Sequence, residues 1–279
     1  MNSSFATLKT AGTGSVREAI RSGTYVGHTA GLGGAKLQAN LAILPAAYAL
    51  DFMRFCQRNP KPCPLVGVSD TGNPMMDTLG PDIDIRTDLP AYYVYRDGAL
   101  SETLTDLTSV WQDDFVTFAL GCSFTFEHAL QTAGMSLWHI DNNTTVPMFE
   151  TNIATVPAGP FSGPMVVSMR AIPDDRIDEV VSISKRFPLA HGAPVHIGDP
   201  AAIGIADVTA PKWGDAAPVP EGTTPVFWAC GVTPQAAIRH AKPPISITHK
   251  PGHMLITDIP DDAETPIYPS QQIPTGELK

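Results

Sequence analysis

Proline and glycine punctuate this chain from end to end, 27 and 23 of them in 279 residues. Proline interrupts helices and ladders, and glycine favours tight turns, so the sequence specifies short elements joined by many turns. The longest apolar stretches, such as "LAILPAAYAL" (41–50), are broken by proline and too short to cross a bilayer. Hydrophobic residues still make up 43% of the chain, enough for a sizeable core in one large domain or two modest ones. No internal repeat or low-complexity linker divides it.

The spacing predicts a helix over 16–22 that stops at Gly23. It predicts a long helical pattern over 34–60, where Leu37, Leu41, Leu44, Tyr48, Phe52 and Phe55 recur every three or four residues and Pro45 kinks or splits the run. Residues 64–70 and 91–98 read as strands, the second ending at the turn dipeptide Asp97-Gly98. An amphipathic helix is expected over 108–121, and another over 123–134 with Ser123 as N-cap. Residues 163–187 read as strand, turn and helix, with Asp174 and Asp175 at the helix start. Residues 224–241 read as strand, loop and helix, with Thr233 as N-cap and Pro234 in the first turn. Residues 245–259 read as a hairpin around His249, Gly252 and His253. Strands and helices alternate near both ends, around a β-rich middle. The expected fold is therefore α/β: a three-layer α/β/α sheet domain (1–120 plus 225–279) with a smaller two-layer α+β domain (121–224) inserted.

With 18 basic and 28 acidic residues the formal charge is −10, and no Lys/Arg cluster stands out, which argues against nucleic acid and anionic membranes as partners. Cys56, Cys63, Cys122 and Cys230 form no CxxC pair, and no histidine pair has zinc-finger spacing. The first ten residues lack a basic segment followed by an apolar run. The expectation is a cytoplasmic protein with reduced thiols.

Two segments run a strand into a cysteine and then into a helix. In "LGCSFTFEHA" (120–129), Cys122 and Ser123 lead into the helix, with Glu127 one turn in. In "ACGVTPQAA" (229–237), Cys230 and Gly231 precede Thr233. The first N–H groups of a helix lack partners within it and attract carboxylate or phosphate, and a cysteine placed there can be acidified. The alternative is a small core residue beside an ordinary cap. Arg170, in "VVSMRAI" (166–172), follows an apolar strand, and its guanidinium needs an anion, either a substrate carboxylate or a structural partner. His249 and His253 in "THKPGH" could exchange protons, and no nearby carboxylate or cysteine completes a metal set around them. In "HGAPVHIGDPAAIGIAD" (191–207), Asp199 either orients a histidine such as His196 or caps its own turn. There is no Walker A, GxSxG or HExxH pattern, and "GLGGAKL" (31–37) lacks the glycine order of a dinucleotide fingerprint.

Several long segments in order, among them "QANLAILP" (38–45), "GCSFTFE" (121–127), "FSGPMVVSMR" (161–170), "HGAPVHIGDP" (191–200), "PVFWACGVTPQAA" (225–237) and "ITHKPGHMLITD" (247–258), resemble the "putative hydro-lyase" family. A similar domain occurs in mammalian D-glutamate cyclase. The resemblance runs from Val16 to Asp258. It implies a lyase acting on a small carboxylate or amino acid, interconverting D-glutamate and 5-oxo-D-proline by losing or adding water, a chemistry that needs no metal or organic cofactor. It brings no catalytic residue set, so the roles rest on the local reading. Cys122, Glu127, His196, Asp199 and His253 are the candidates for the chemistry. Ser123, Arg170, Cys230, Gly231, Thr233 and His249 are the candidates for holding carboxylates and an oxyanion. Cys122, Arg170, His196 and Cys230 are expected to converge on one pocket. The competing functions are an amide or lactam hydrolase and a non-catalytic carboxylate-binding protein. The partner is a small molecule, and self-association is left open.

Overall fold

The computed structural model describes residues 4–142 and 144–263. Two short helices, α1 (Phe5–Leu8) and α2 (Thr13–Arg21), lead into a ten-residue strand, β1 (Lys36–Pro45). This strand occupies what its spacing predicted as the first half of a helix. The reason is burial on both faces. Leu37, Ala39, Leu41 and Ile43 enter one apolar cluster, and Ala42 and Leu44 enter another. A strand covered on both sides loses its polar alternation, so leucines at 37, 41 and 44 mimic a helical period. Pro45 ends the strand, and α3 (Ala46–Arg58) begins at once. It sets Phe52 edge-on against Phe118 and Phe161, with ring centroids 4.9 and 5.1 Å away.

Strand β2 (Leu65–Val68) follows, then β3 (Tyr92–Arg96) and β4 (Ala99–Leu104). Asp97 and Gly98 join the last two with φ of 49° and 80°, the left-handed pair that a two-residue hairpin demands. The helix expected over 108–121 is instead β5 (Phe115–Gly121), buried at all seven positions and paired along β1 from Pro45 to Ala39. The cause of the misreading is the same two-sided burial.

Helices α4 (Phe124–Thr132) and α5 (Trp138–Asp141) lead to strands β6 (Met148–Ala154) and β7 (Pro164–Pro173). A 3-10 turn at Asp174–Arg176 then opens α6 (Ile177–Lys185), as the sequence indicated. Strands β8 (His196–Ile197) and β9 (Thr223–Ala229) precede α7 (Val232–Ala241), and β10 (Ser246–His249) and β11 (Leu255–Pro260) close the fold. The last two strands do not form the expected hairpin. Both lie antiparallel to β1, end to end along one edge, pairing Ala42 with Thr248 and Ala39 with Leu255. A ten-residue strand offers room for both.

Helices thus mix with two sheets, as an α/β class implies, and among the described residues every strand pairing is antiparallel. One sheet has the order β2-β5-β1-β10-β3-β4, with β11 beside β1; the other has the order β6-β7-β9-β8. The second sheet buries Ile172, Val226 and Trp228 against α4 and α6 on one face, and Val167, Met169 and Phe227 on the other. Among the described residues no helix is long and apolar enough to cross a membrane.

The end of β5 is the tightest junction. A Cβ on Gly121 would lie 1.5 Å from the carbonyl oxygen of Leu189, in the 3-10 turn Pro188–Ala190 that covers the strand end. Backbone on both sides leaves no side chain to yield. Gly121→Ala is therefore expected to destabilise by more than about 3 kcal/mol or to prevent folding, measured by thermal unfolding.

Candidate functional site

Both cysteine segments do what their strand–helix pattern suggests, but their helix ends are closed. The Phe124 N–H bonds the Cys122 sulfur and the Thr125 N–H bonds the Cys122 carbonyl at 3.1 Å. The Val232 N–H likewise bonds the Cys230 sulfur, and the Thr233 N–H bonds the Cys230 carbonyl at 2.9 Å. The first N–H groups of α4 and α7 are thus satisfied within the chain, so the anion sites expected there are taken by their own caps. Burial pushes the Cys122 thiol up to about 12 and the Cys230 thiol to about 11. Both are thiols at neutral pH rather than ready nucleophiles. The two segments meet at Asn40 of β1. Its Nδ2 donates to the carbonyls of Leu120 (3.2 Å) and Gly121 (2.9 Å), and Gly231 packs so close that a Cβ there would fall 2.3 Å from that nitrogen.

Beside the cysteines lies a buried ionic cluster. Arg170 of β7 and Glu127 of α4 are 3% and 2% exposed. Arg170 donates to Glu127 Oε1 through Nη2 and through Nε (3.1 Å), to Ser123 Oγ through Nη2 (3.2 Å) and to Ser168 Oγ through Nη1 (3.0 Å). Its guanidinium lies over the rings of Phe126 and Trp228, at 5.3 and 5.2 Å. Strand alternation places Ser168 and Arg170 on the face toward α4, and the first turn of α4 places Ser123 and Glu127 opposite. The sequence named Arg170 as needing an anion, and the structure supplies a carboxylate of the chain itself. His139 of α5 completes the group, its Nε2 3.0 Å from the same Glu127 Oε1. Burial disfavours the Glu127 charge, but His139 and Arg170 outweigh it and hold its pKa down to about 2.

Glu127 and His139 form part of the wall of a 590 Å³ cavity. Lys36 and Gln38 of β1, Thr125 of α4 and His28 form other parts of that wall. The Lys36 ammonium donates to the Asp258 carbonyl at 2.9 Å, which leaves its charge available to an anion. Gln38 is tied to α4 through its backbone N–H, which donates to Thr125 Oγ1 at 3.3 Å. Arg170, Cys122 and Cys230 stand behind this wall and do not line the cavity.

The remaining expected residues disperse. His196 of β8 lies opposite Phe227, their rings 5.8 Å apart, on the sheet face away from Arg170. Its Nε2 contacts the Asp199 carbonyl at 2.7 Å, and the Asp199 side chain accepts from the Ala201 N–H at 3.0 Å. Asp199 therefore caps its own turn, and the convergence of His196 with Cys122 and Arg170 does not occur. Two-residue β8 turns its histidine to that face, which no local pattern announces. The Thr233 hydroxyl exchanges bonds with the Val166 backbone (2.9 and 3.1 Å), clamping α7 to β7, and Gly231 takes the N-cap position in its place. His249 is buried; its Nδ1 accepts from the Leu41 N–H at 3.1 Å, and burial lowers it to about 4. His253 contacts the Pro251 carbonyl at 2.9 Å, close to His28 at the cavity rim. Among the described residues no group of three or more His, Cys, Asp or Glu could hold a metal ion. His139, Gln38 and Lys36 were not singled out from sequence. Gln38 and Lys36 stood within a segment misread as helix, and His139 stood in "LWHID", which carries no pattern.

The sequence of this chain is similar to those of a described family. The family model D-glutamate cyclase matches residues 116–258. A protein of Dinoroseobacter shibae named "Putative hydro-lyase" is 69% identical over 275 residues, covering 99% of this chain and 92% of that one. Proteins of the same name from Ruegeria pomeroyi (67%; 98% and 99% covered) and Bacillus licheniformis (53%; 88% and 94% covered) extend the similarity. The chain belongs to the D-glutamate cyclase family, and these relatives bear the name "Putative hydro-lyase". A solved structure of a nitrogen repressor-like protein from Methanococcus jannaschii aligns with TM-score 0.38 and 11% identity over 78% of this chain and 83% of that one, values too low to bear on fold or function.

Proposed function

We propose that this protein interconverts D-glutamate and 5-oxo-D-proline in the cavity lined by Glu127 and His139. The observation that carries the reading is one ionised, buried carboxylate oriented by an arginine, holding a histidine at the cavity wall. Inserted segment 121–224 brings Glu127 and His139, and the rest of the chain brings Lys36 and Gln38, so the site lies between the two proposed domains.

Cyclisation joins the amine nitrogen to the side-chain carboxyl carbon and breaks one carbon–oxygen bond. Two of the three ammonium protons leave with that oxygen as water. A group that takes a proton from nitrogen and returns it to oxygen suffices for both steps. His139 is placed for this shuttle: Glu127 holds Nε2, leaving Nδ1 for the substrate. Arg170 acts through Glu127 as a positioning residue, fixing the carboxylate that orients the ring. Lys36 offers charge to a substrate carboxylate. Cys122 and Cys230 serve as caps that set α4 and α7, and His196 and Asp199 take no part.

Incubating the protein with D-glutamate or 5-oxo-D-proline, and separating the products by chiral chromatography, tests this. Interconversion above the buffer rate is expected, reduced about 10²- to 10⁴-fold in His139→Asn, the range over which a positioned proton-transfer group acts. Absence of turnover in both directions, or full activity in His139→Asn, contradicts the reading.

A further inference from the structure

Gln38 is 3% exposed and lines the cavity. Its Nε2 donates to two carbonyls, Thr29 at 2.9 Å and Leu32 at 3.0 Å. Only the NH₂ end of an amide can satisfy two carbonyls, so this fixes which end is which. The other end, Oε1, is buried with no hydrogen-bond partner. A buried acceptor left unpaired is destabilising, and natural interiors keep few of them. Glu127 repeats the theme: Arg170 and His139 all converge on Oε1, and Oε2 receives none of those bonds. Gln38 is joined to the helix that carries Glu127 by its bond to Thr125.

We propose that Gln38 Oε1 and Glu127 Oε2 form a wall of acceptors that reads an N–H group of the ligand, so that the cavity selects a small amine or lactam over an isosteric ligand lacking the N–H. The inference rests on the reading above and assigns to that site a specificity residue. A ligand N–H pairs the orphan oxygen, whereas an analogue with oxygen at that position sets one acceptor against another. Sites built around a buried polar group discriminate strongly against ligands that leave it unpaired.

The test compares two ligands of one shape. Calorimetry on the wild-type protein measures 5-oxo-D-proline and the lactone in which its ring N–H is replaced by oxygen. The lactone should bind at least about tenfold more weakly, because it leaves a buried acceptor without a donor. In Gln38→Leu the preference should shrink to roughly twofold while lactone affinity is retained, since the lactone never used that oxygen. Equal binding of lactam and lactone by the wild type overturns the inference and leaves the wider reading standing. A Gln38→Leu protein that keeps the full preference overturns it as well. Should neither compound bind, the functional reading itself fails, and the inference with it. The wild-type comparison stands alone if Gln38→Leu does not fold.

Discussion

Arg170→Leu should lower the unfolding free energy by roughly 3–5 kcal/mol, because it strands the Glu127 carboxylate in the interior without its ion partner. Glu127 is 2% exposed, and Arg170 supplies two of the bonds to its Oε1. Denaturant titration reads the change as a fall in midpoint. Removing both charges, in Arg170→Leu with Glu127→Leu, should recover most of the loss. Phe126 and Trp228, which now stack on the guanidinium, would pack against leucine instead. That double variant should fold but turn over nothing, separating the structural from the catalytic use of the pair. A single Arg170→Leu variant within about 0.5 kcal/mol of wild type, the ordinary surface range, would contradict the placement of this pair in the core.

Acidification should weaken the fold well before ordinary carboxylates titrate. His191 and His249 are each 2% exposed, and burial lowers both from 6.5 to about 4. The folded chain keeps them neutral while the unfolded chain protonates them near 6.5. The unfolded state therefore binds more protons between pH 6.5 and 4, so stability is full above that window and falls as pH drops through it. Each histidine should contribute roughly 3 kcal/mol across the window, with a combined slope approaching about 2.7 kcal/mol per pH unit. Glu127 adds a second decline at lower pH. Its pKa is held at about 2 against 4.5 for the free group, so its contribution is present above 4.5 and is lost toward 2. Unfolding free energies measured from pH 7.5 to 4 check this. His191→Asn and His249→Asn should each remove about half of the first slope, since one proton is lost per histidine. A flat profile between pH 6.5 and 4.5 would contradict the neutral buried histidines.

Elements whose patterns are local were legible in the sequence. The Asp97-Gly98 turn, the stop of α2 before Gly23, α4, and the strand–helix pairs around Arg170 and Cys230 all follow from turn chemistry and periodicity. Strands β1 and β5 were not legible, because each is sandwiched between two apolar clusters and carries no polar face to mark a period of two. The site divides the same way. Ser123, Glu127 and Arg170 were named and lie together, since Ser123 and Glu127 sit at a helix start and Arg170 within an apolar strand, each announced by its own segment. His139 and Gln38 reach the cavity only through tertiary placement of a four-residue helix and a misread strand. His196 and Asp199 misled for the converse reason: a turn rich in titratable groups satisfies itself locally.

The central claim is that the cavity walled by Gln38, Glu127 and His139 is where the substrate sits. A crystal structure of the protein soaked with 5-oxo-D-proline tests it most directly. The account predicts the ligand in that cavity, its lactam N–H on Gln38 Oε1 and a carboxylate toward Lys36. A ligand bound instead on the His196–Asp199 face of the second sheet, with the cavity vacant, would contradict it.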